Sequence, residues 1–172
     1  VTADGPRVLE FNARFGDPEA QALLPRLESD LLEIMLAVAA GTLDRVDVRW
    51  RDDAALTVML ASGGYPGAYE TGKPITGLDD VDGDIVVFHA GTKRDAGGRI
   101  VTNGGRVLAV TATAPTMAAA REKVYRNIGR IHFDGMHYRT DIGASEVAAT
   151  PPSPLVEEGA SRRVAAGDGV NN

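Results

Sequence analysis

Cysteine is absent from this 172-residue chain. Its absence excludes disulfides, thiolate catalysis and Cys-ligated zinc, and it fits a reducing, cytoplasmic setting. Aromatic residues are scarce, at 5%, so a core must come from Val, Leu, Ile and Ala. Long apolar runs are missing too. A membrane helix needs about 18–20 consecutive apolar residues, and the best candidate, Leu31 to Ala40, is short and carries Glu33. That argues against a membrane span, and no signal-peptide pattern is visible at the start. Basic residues are not in excess: 18 Lys and Arg face 24 Asp and Glu, for a net charge of -6. Such a chain has little non-specific attraction for nucleic acid, although a local basic pocket is still compatible with it. The opening residues, Val1-Thr2-Ala3-Asp4-Gly5-Pro6, lack a methionine and read as the middle of a longer polypeptide.

What is present is patterning. A hydrophobic share of 44% is ordinary for a soluble globular protein, and 20 glycines imply many turns. From Arg7 to Arg14, polar Glu10, Asn12 and Arg14 alternate with Leu9, Phe11 and Ala13. That period predicts a strand buried on one face. A loop follows at Phe15-Gly16-Asp17-Pro18. Leu23, Leu24, Leu27, Leu31, Ile34, Met35 and Val38 recur at helical spacing. Pro25 suits a first turn, not an interior, so the main helix is placed at Asp30 to Ala40. Asp30 with Glu33 resembles a capping box, and Gly41 is a natural stop.

Strands are predicted at Ala55 to Ala61 and Asp84 to His89, with Gly63-Gly64-Tyr65-Pro66-Gly67 as a loop. Ile100 to Thr102 and Arg106 to Thr111 flank Asn103-Gly104-Gly105, a sequence that favours a tight hairpin turn. A second helix, capped by Thr116, carries an apolar stripe of Met117, Ala120, Val124, Ile128 and Ile131. Tyr138 to Ile142 reads as a last short strand. Ser145 to Asn172, rich in Ala, Gly, Pro and Ser, reads as a disordered tail. Its Pro151-Pro152-Ser153-Pro154 run is a weak signal for proline-rich peptide recognition. Met35, Met59 and Met117 are expected to fill core space.

The densest chemistry lies in Val8 to Glu19. On a strand, Glu10 and Asn12 project to one side about 6–7 Å apart. Two oxygen-bearing side chains at that spacing suit a small hard cation such as magnesium. Arg14, next on that face, could grip an anionic oxygen. Spacing alone favours a merely solvated strand face. His89 at a strand end suits a structural hydrogen bond, and His132 with His137 has no evident third ligand for zinc.

The longer string Glu10-Phe11-Asn12-Ala13-Arg14-Phe15-Gly16-Asp17-Pro18-Glu19 resembles the last catalytic strand and loop of the ATP-grasp domain in the phosphoribosylamine–glycine ligase family. Ala61-Ser62-Gly63-Gly64-Tyr65-Pro66-Gly67, His89-Ala90-Gly91-Thr92-Lys93 and Val101-Thr102-Asn103-Gly104-Gly105-Arg106-Val107-Leu108 follow in the family's order, and Asp141-Ile142-Gly143 resembles its ending. The likeness runs from about Val8 to Gly143.

The resemblance implies an ATP-dependent ligase that joins glycine to 5-phosphoribosylamine through a glycyl phosphate, in purine synthesis. It implies Mg2+ or Mn2+ held by Glu10 and Asn12. It gives Arg14 the transferring phosphoryl group or the glycine carboxylate, and Asp17 the amine of either substrate, with an Asx turn before Pro18 as Asp17's plainer role. Lys93 and Arg99 would hold the ribose phosphate, with solvated loop positions as their plainer role. ATP, glycine and 5-phosphoribosylamine would be the small-molecule partners, and the preceding N-terminal part of the same enzyme the protein partner. Alone, the chain should be inactive.

The fold expected is α+β. Residues 1–45 would end an ATP-grasp domain and carry a linking helix. Residues 46–143 would form a small, mostly antiparallel β-rich domain of barrel-sandwich hybrid character with one packed helix, and 144–172 the tail. Another ATP-grasp carboxylate–amine ligase, or a non-catalytic β-rich binding module, are the competing readings.

Overall fold

The computed structural model describes residues 5, 7–8 and 11–148. Its helices are α1 (Glu19–Leu23), α2 (Leu31–Ala40), α3 (Met117–Ile128) and α4 (Ala144–Ala148). Its strands are β1 (Ala54–Ala61), β2 (Val86–His89), β3 (Thr92–Arg94), β4 (Ile100–Thr102) and β5 (Arg106–Ala114). The result is an α+β fold with antiparallel sheets.

The core is the three-stranded sheet β1-β5-β2 with α3 laid across it. Leu56, Val58 and Leu60 of β1 and Leu108, Val110 and Ala112 of β5 meet Val124 and Ile128 of α3. Ile131 and Phe133, just past the helix, are sealed with them. The other sheet face carries Ala55, Thr57, Ala109 and Thr111, with Met59 and Phe88 on either side of Ala109. Thr57 and Thr111 join their hydroxyls at 2.7 Å. α1 contacts β1 and β5 and α3 packs on the same two strands, so β5 is buried without a break from Val107 to Ala112.

Local signals set the helix ends. Asp30 accepts a hydrogen bond from Leu32 N at 2.8 Å, and Gly41, at φ 67°, closes α2 in the left-handed conformation. Thr116 caps α3 through Ala119 N at 3.2 Å. Pro25 sits in a 3₁₀ turn, Leu24–Arg26, between α1 and α2. Residues 26–51 fold back on themselves through Glu28 N to Arg49 O (3.0 Å) and Arg51 N to Arg26 O (2.8 Å).

Five expectations are corrected. Residues 7–8 and 11–14 lie in no strand, because no other strand among the described residues runs beside them, and a strand needs a partner's hydrogen bonds. The α2 stripe is not a core face: Ala37 is buried, but Leu32, Met35, Leu36 and Val38 are exposed, since no described element covers them. Met35 is therefore not core filler. β4 and β5 do not form a hairpin: β4 pairs with β3, and β5 with β1 and β2. Asn103-Gly104-Gly105 instead carries the chain from one sheet to the other, with Asn103 N bonded to Gly91 O at 2.7 Å. The tight hairpin lies between β3 and β4, where Asp95 Oδ1 accepts from the N–H groups of Gly97 and Arg99. Residues 138–142 form no strand: the chain bridges β1 once, His137 to Ala61, and then turns away. Of the tail, Ser145–Ala148 lies in α4, and residues 149–172, including the proline run, fall outside the described residues.

Candidate functional site

Glu10 lies outside the described residues, so its geometry with Asn12 does not enter. Asn12 is exposed. Arg14 is exposed and donates to Phe15 O at 2.9 Å, a local contact. Asp17 is held from two sides. Gln21 Nε2 donates to its Oδ1 at 2.8 Å. From the far side, Arg106 Nη1 donates to the Asp17 carbonyl at 2.8 Å and Nη2 to Oδ2 at 3.1 Å. The Asp17 carboxylate ties the loop to the start of β5.

Clefts open on both sides of this ion pair. One, about 300 Å³, lies between Pro18 and the Met59, Tyr65, Arg106 and His137 side. The other, about 310 Å³, is lined by Gly16, Asp17, Gln21, Leu24, Phe88 and His89. A larger cleft of about 620 Å³, by Asp52, Asp53, Pro115 and Met117, contains none of the expected site residues.

Lys93 and Arg99 are elsewhere, on the small β3–β4 sheet. Lys93 is exposed and pairs through its main chain with Val101. Arg99 is engaged within its own hairpin: Nε and Nη2 each donate to Asp95 Oδ2 at 2.8 Å. Those bonds, with the N–H of Arg99 and Gly97, hold the Asp95 carboxyl below its usual range. No described contact joins Lys93 or Arg99 to Asp17. His89 makes the structural bond expected of it, Nδ1 to Thr92 Oγ1 at 3.0 Å. Among the described residues no three His, Asp or Glu side chains converge on a point that could hold a metal. Nor is any described helix long and apolar enough to cross a membrane.

Residues 55–145 match the protein family described as phosphoribosylglycinamide synthetase, C domain. The chain belongs to that family. It is 47% identical over 158 residues to the phosphoribosylamine–glycine ligase of Halalkalibacterium halodurans, covering 92% of this chain and 36% of the relative. It is 50% identical over 148 residues to that of Rhizobium meliloti, covering 86% and 35%. A crystal structure of phosphoribosylamine–glycine ligase from Thermotoga maritima superposes with a TM-score of 0.63 at 34% identity, over 81% of this chain and 34% of that one. The chain therefore spans about a third of the length of the relatives it matches.

Within the C-domain region, the glycine-rich strings have structural work. Gly91 and Gly104 touch backbone to backbone: a Cβ on Gly91 would meet Arg106 O at 2.6 Å and Gly104 Cα at 2.7 Å. A Cβ on Gly105 would enter the Tyr65 ring. Ser62 ties the strings together, its N to Gly105 O and its Oγ to Gly104 O, both at 2.8 Å. Tyr65 N closes a turn onto Ser62 O at 3.0 Å. Asp141-Ile142-Gly143 is a clasp. Tyr125 Oη donates to Arg139 O at 2.8 Å and accepts from Ile142 N at 3.2 Å, while Arg121 reaches Thr140 O and Ile142 O.

Sequence reasoning passed over Arg106 and Gln21. Arg106 was in view, inside the Val101 to Leu108 string directly after two glycines, but nothing local pointed it at Asp17. Gln21 stands four residues after Asp17, one turn of helix away, and that spacing was the available signal.

Proposed function

We propose that this chain is the C-terminal portion of an ATP-dependent, cytoplasmic ligase that joins glycine to 5-phosphoribosylamine. Residues 1–45 end its ATP-grasp domain, 46–143 form its β-rich domain of barrel-sandwich hybrid character, and 144–172 form its tail. The products are glycinamide ribonucleotide, ADP and phosphate, by way of a glycyl phosphate, in the route to purines. The reading draws on the family match and on relatives of that name.

One structural observation carries the further point that the chain works only with more polypeptide. Among the described residues, ten large apolar side chains at positions 8–50 stay exposed, from Val8 and Phe11 to Trp50, against four beyond position 50. Residues 55–145 have their own sealed core, whereas the preceding segment presents an uncovered apolar surface. Large apolar side chains left open in such number are what further polypeptide would cover. The rest of the ligase is its occupant in this reading, and the chain alone is inactive.

Glu10 and Asn12 are the proposed holders of Mg2+ or Mn2+. A carboxylate and an amide suit a hard cation that keeps waters and substrate phosphates as its other ligands, and the exposure of Asn12 leaves room for such a hydrated ion. When bound, the ion would neutralise phosphate charge on ATP. Arg14, exposed on the same segment, holds an anionic oxygen of the phosphoryl group or of glycine. Asp17 receives an amine, and its exposed carboxylate has acceptor capacity beyond the two bonds it already makes. Lys93 is the leading candidate for the ribose phosphate. Arg99 joins it by exchanging Asp95 for the phosphate.

The test compares this chain alone with the ligase built at full length around it. Phosphate release dependent on ATP, glycine and 5-phosphoribosylamine is expected from the full-length protein and from no preparation of the chain alone. Turnover by the chain alone would refute its dependence on further polypeptide. A folded full-length protein that condenses some other acid and amine would refute the substrate assignment.

A further inference from the structure

We propose that Arg106 is a positioning residue that fixes Asp17 for its amine-bearing substrate; the inference rests on the ligase reading above and deepens it. The geometry begins with the Arg106 backbone. Arg106 opens β5 at the point where the β1–β5 register shifts, pairing with Ala61. Its carbonyl accepts from Gly91 N at 2.8 Å. Gly104 and Gly105, just before it, are held by Ser62 and pressed against Gly91 and Tyr65. Three glycine-rich segments thus lock the main chain from which the guanidinium extends.

The guanidinium then grips one residue twice. One N–H takes the Asp17 carbonyl and another takes its carboxylate. A rigid planar fork of this kind sets the main chain and the side chain of Asp17 together, which the flexible point charge of a lysine does less well. Gln21 holds the other carboxylate oxygen. A carboxylate has about four acceptor sites, and these two donors leave capacity for a substrate amine. Clefts of about 300 and 310 Å³ flank the pair, so a ligand can reach it. The side chains are 38% and 48% exposed, and ion pairs that open to solvent contribute little to stability. The arrangement therefore serves placement more than folding: it aims a loop carboxylate from a rigid base 89 positions away in sequence.

The test uses the full-length ligase with R106M, R106K, D17A and the double variant R106M/D17A. For R106M, KM for one of the two amine-bearing substrates should rise tenfold or more, with KM for ATP and the melting temperature unchanged. R106K should recover part of the loss. The double variant should be no worse than D17A, because Arg106 acts through Asp17. An unchanged KM for both amines in R106M, or losses that multiply in full in the double variant, would overturn the proposal. If R106M does not fold, R106K decides on the same readout. Absence of ligase activity in the wild type would instead remove the ligase reading. The clamp is then read in this chain by amide hydrogen exchange over residues 16–21, which must quicken at least tenfold in R106M or R106K, and unchanged exchange overturns the inference.

Discussion

Replacing Asn127 with alanine should be among the most damaging single changes to this fold. Asn127 is fully buried on α3 and satisfies three polar groups. Its Oδ1 accepts from Asp82 N at 2.8 Å, and its Nδ2 donates to Asp82 Oδ2 at 3.0 Å and to Lys123 O at 2.9 Å. Together these bonds tie α3 to the loop that leads into β2. Alanine removes all three and leaves the Asp82 N–H without its acceptor. An unsatisfied buried donor costs about 1–3 kcal/mol, and each lost bond on the order of 1 kcal/mol, so Asn127→Ala should lose roughly 2–4 kcal/mol. Asn127→Asp is nearly isosteric, but it sets a carboxylate against the Asp82 carboxylate and should be worse still near neutral pH. The acid limb adds a second readout. The Asn127 bond, followed by those of Arg130 and Arg126, holds the Asp82 carboxyl at about 2, below the ordinary carboxylate value of 3.8. Stability from this group is therefore fully present above about 3.8 and drains as the pH falls through about 2. In Asn127→Ala the native value should rise toward that of the unfolded chain, so the acid-dependent loss should be smaller and complete at higher pH. Urea unfolding of this chain, followed by circular dichroism from pH 7 to pH 2, tests both. A loss below about 0.5 kcal/mol, with an unmoved acid limb, would refute the account of Asn127 as a buried latch.

Gly91→Ala should destabilise by about 1–3 kcal/mol, as overpacking does, because its methyl would meet the Arg106 and Gly104 backbones and no side chain that could swing away; the urea midpoint reads this. Leu36→Gln, on the exposed face of α2, should shift the stability of the chain by no more than about 0.5 kcal/mol yet lower the yield or stability of the full-length ligase, and equal effects in both would refute the interface. In the full-length ligase, Glu10→Ala and Asn12→Ala should each raise the magnesium concentration needed for half-maximal turnover at least tenfold; unchanged metal dependence in both would remove that assignment. Tyr125→Phe should cost about 1–3 kcal/mol, since it deletes the bond to Arg139 O and leaves Ile142 N without its acceptor; a melting curve checks it.

Much of the domain could be read without coordinates because its signals are local. The run from Ala55 to Ala61 marked β1, and Thr116 with its stripe marked α3, since both lie where a buried face must recur with the element's own period. The same logic misled at α2 and at residues 7–14. There the apolar pattern is genuine, but what would cover it is not among the described elements, so periodicity named a face without showing whether it is buried. Asn103-Gly104-Gly105 failed differently: glycine allows a tight turn and also allows backbones to touch, and the Gly91 contact decided for the second. At the candidate site, the residue types in the Glu10 to Glu19 string were legible through family likeness, but the engagement of Arg99 with Asp95 was not, although only four positions separate them.

The order of residues by itself determined where α2 begins and ends, where α3 begins, and which family the chain resembles. Caps, turns and periods act over a few neighbouring positions, and ordered motifs need no coordinates. Tertiary structure alone decided that β4 joins β3, that β5 is sealed on both faces, and that Arg106 closes on Asp17. Those outcomes depend on which distant backbones and side chains arrive at the same place, and packing, not local preference, sets that.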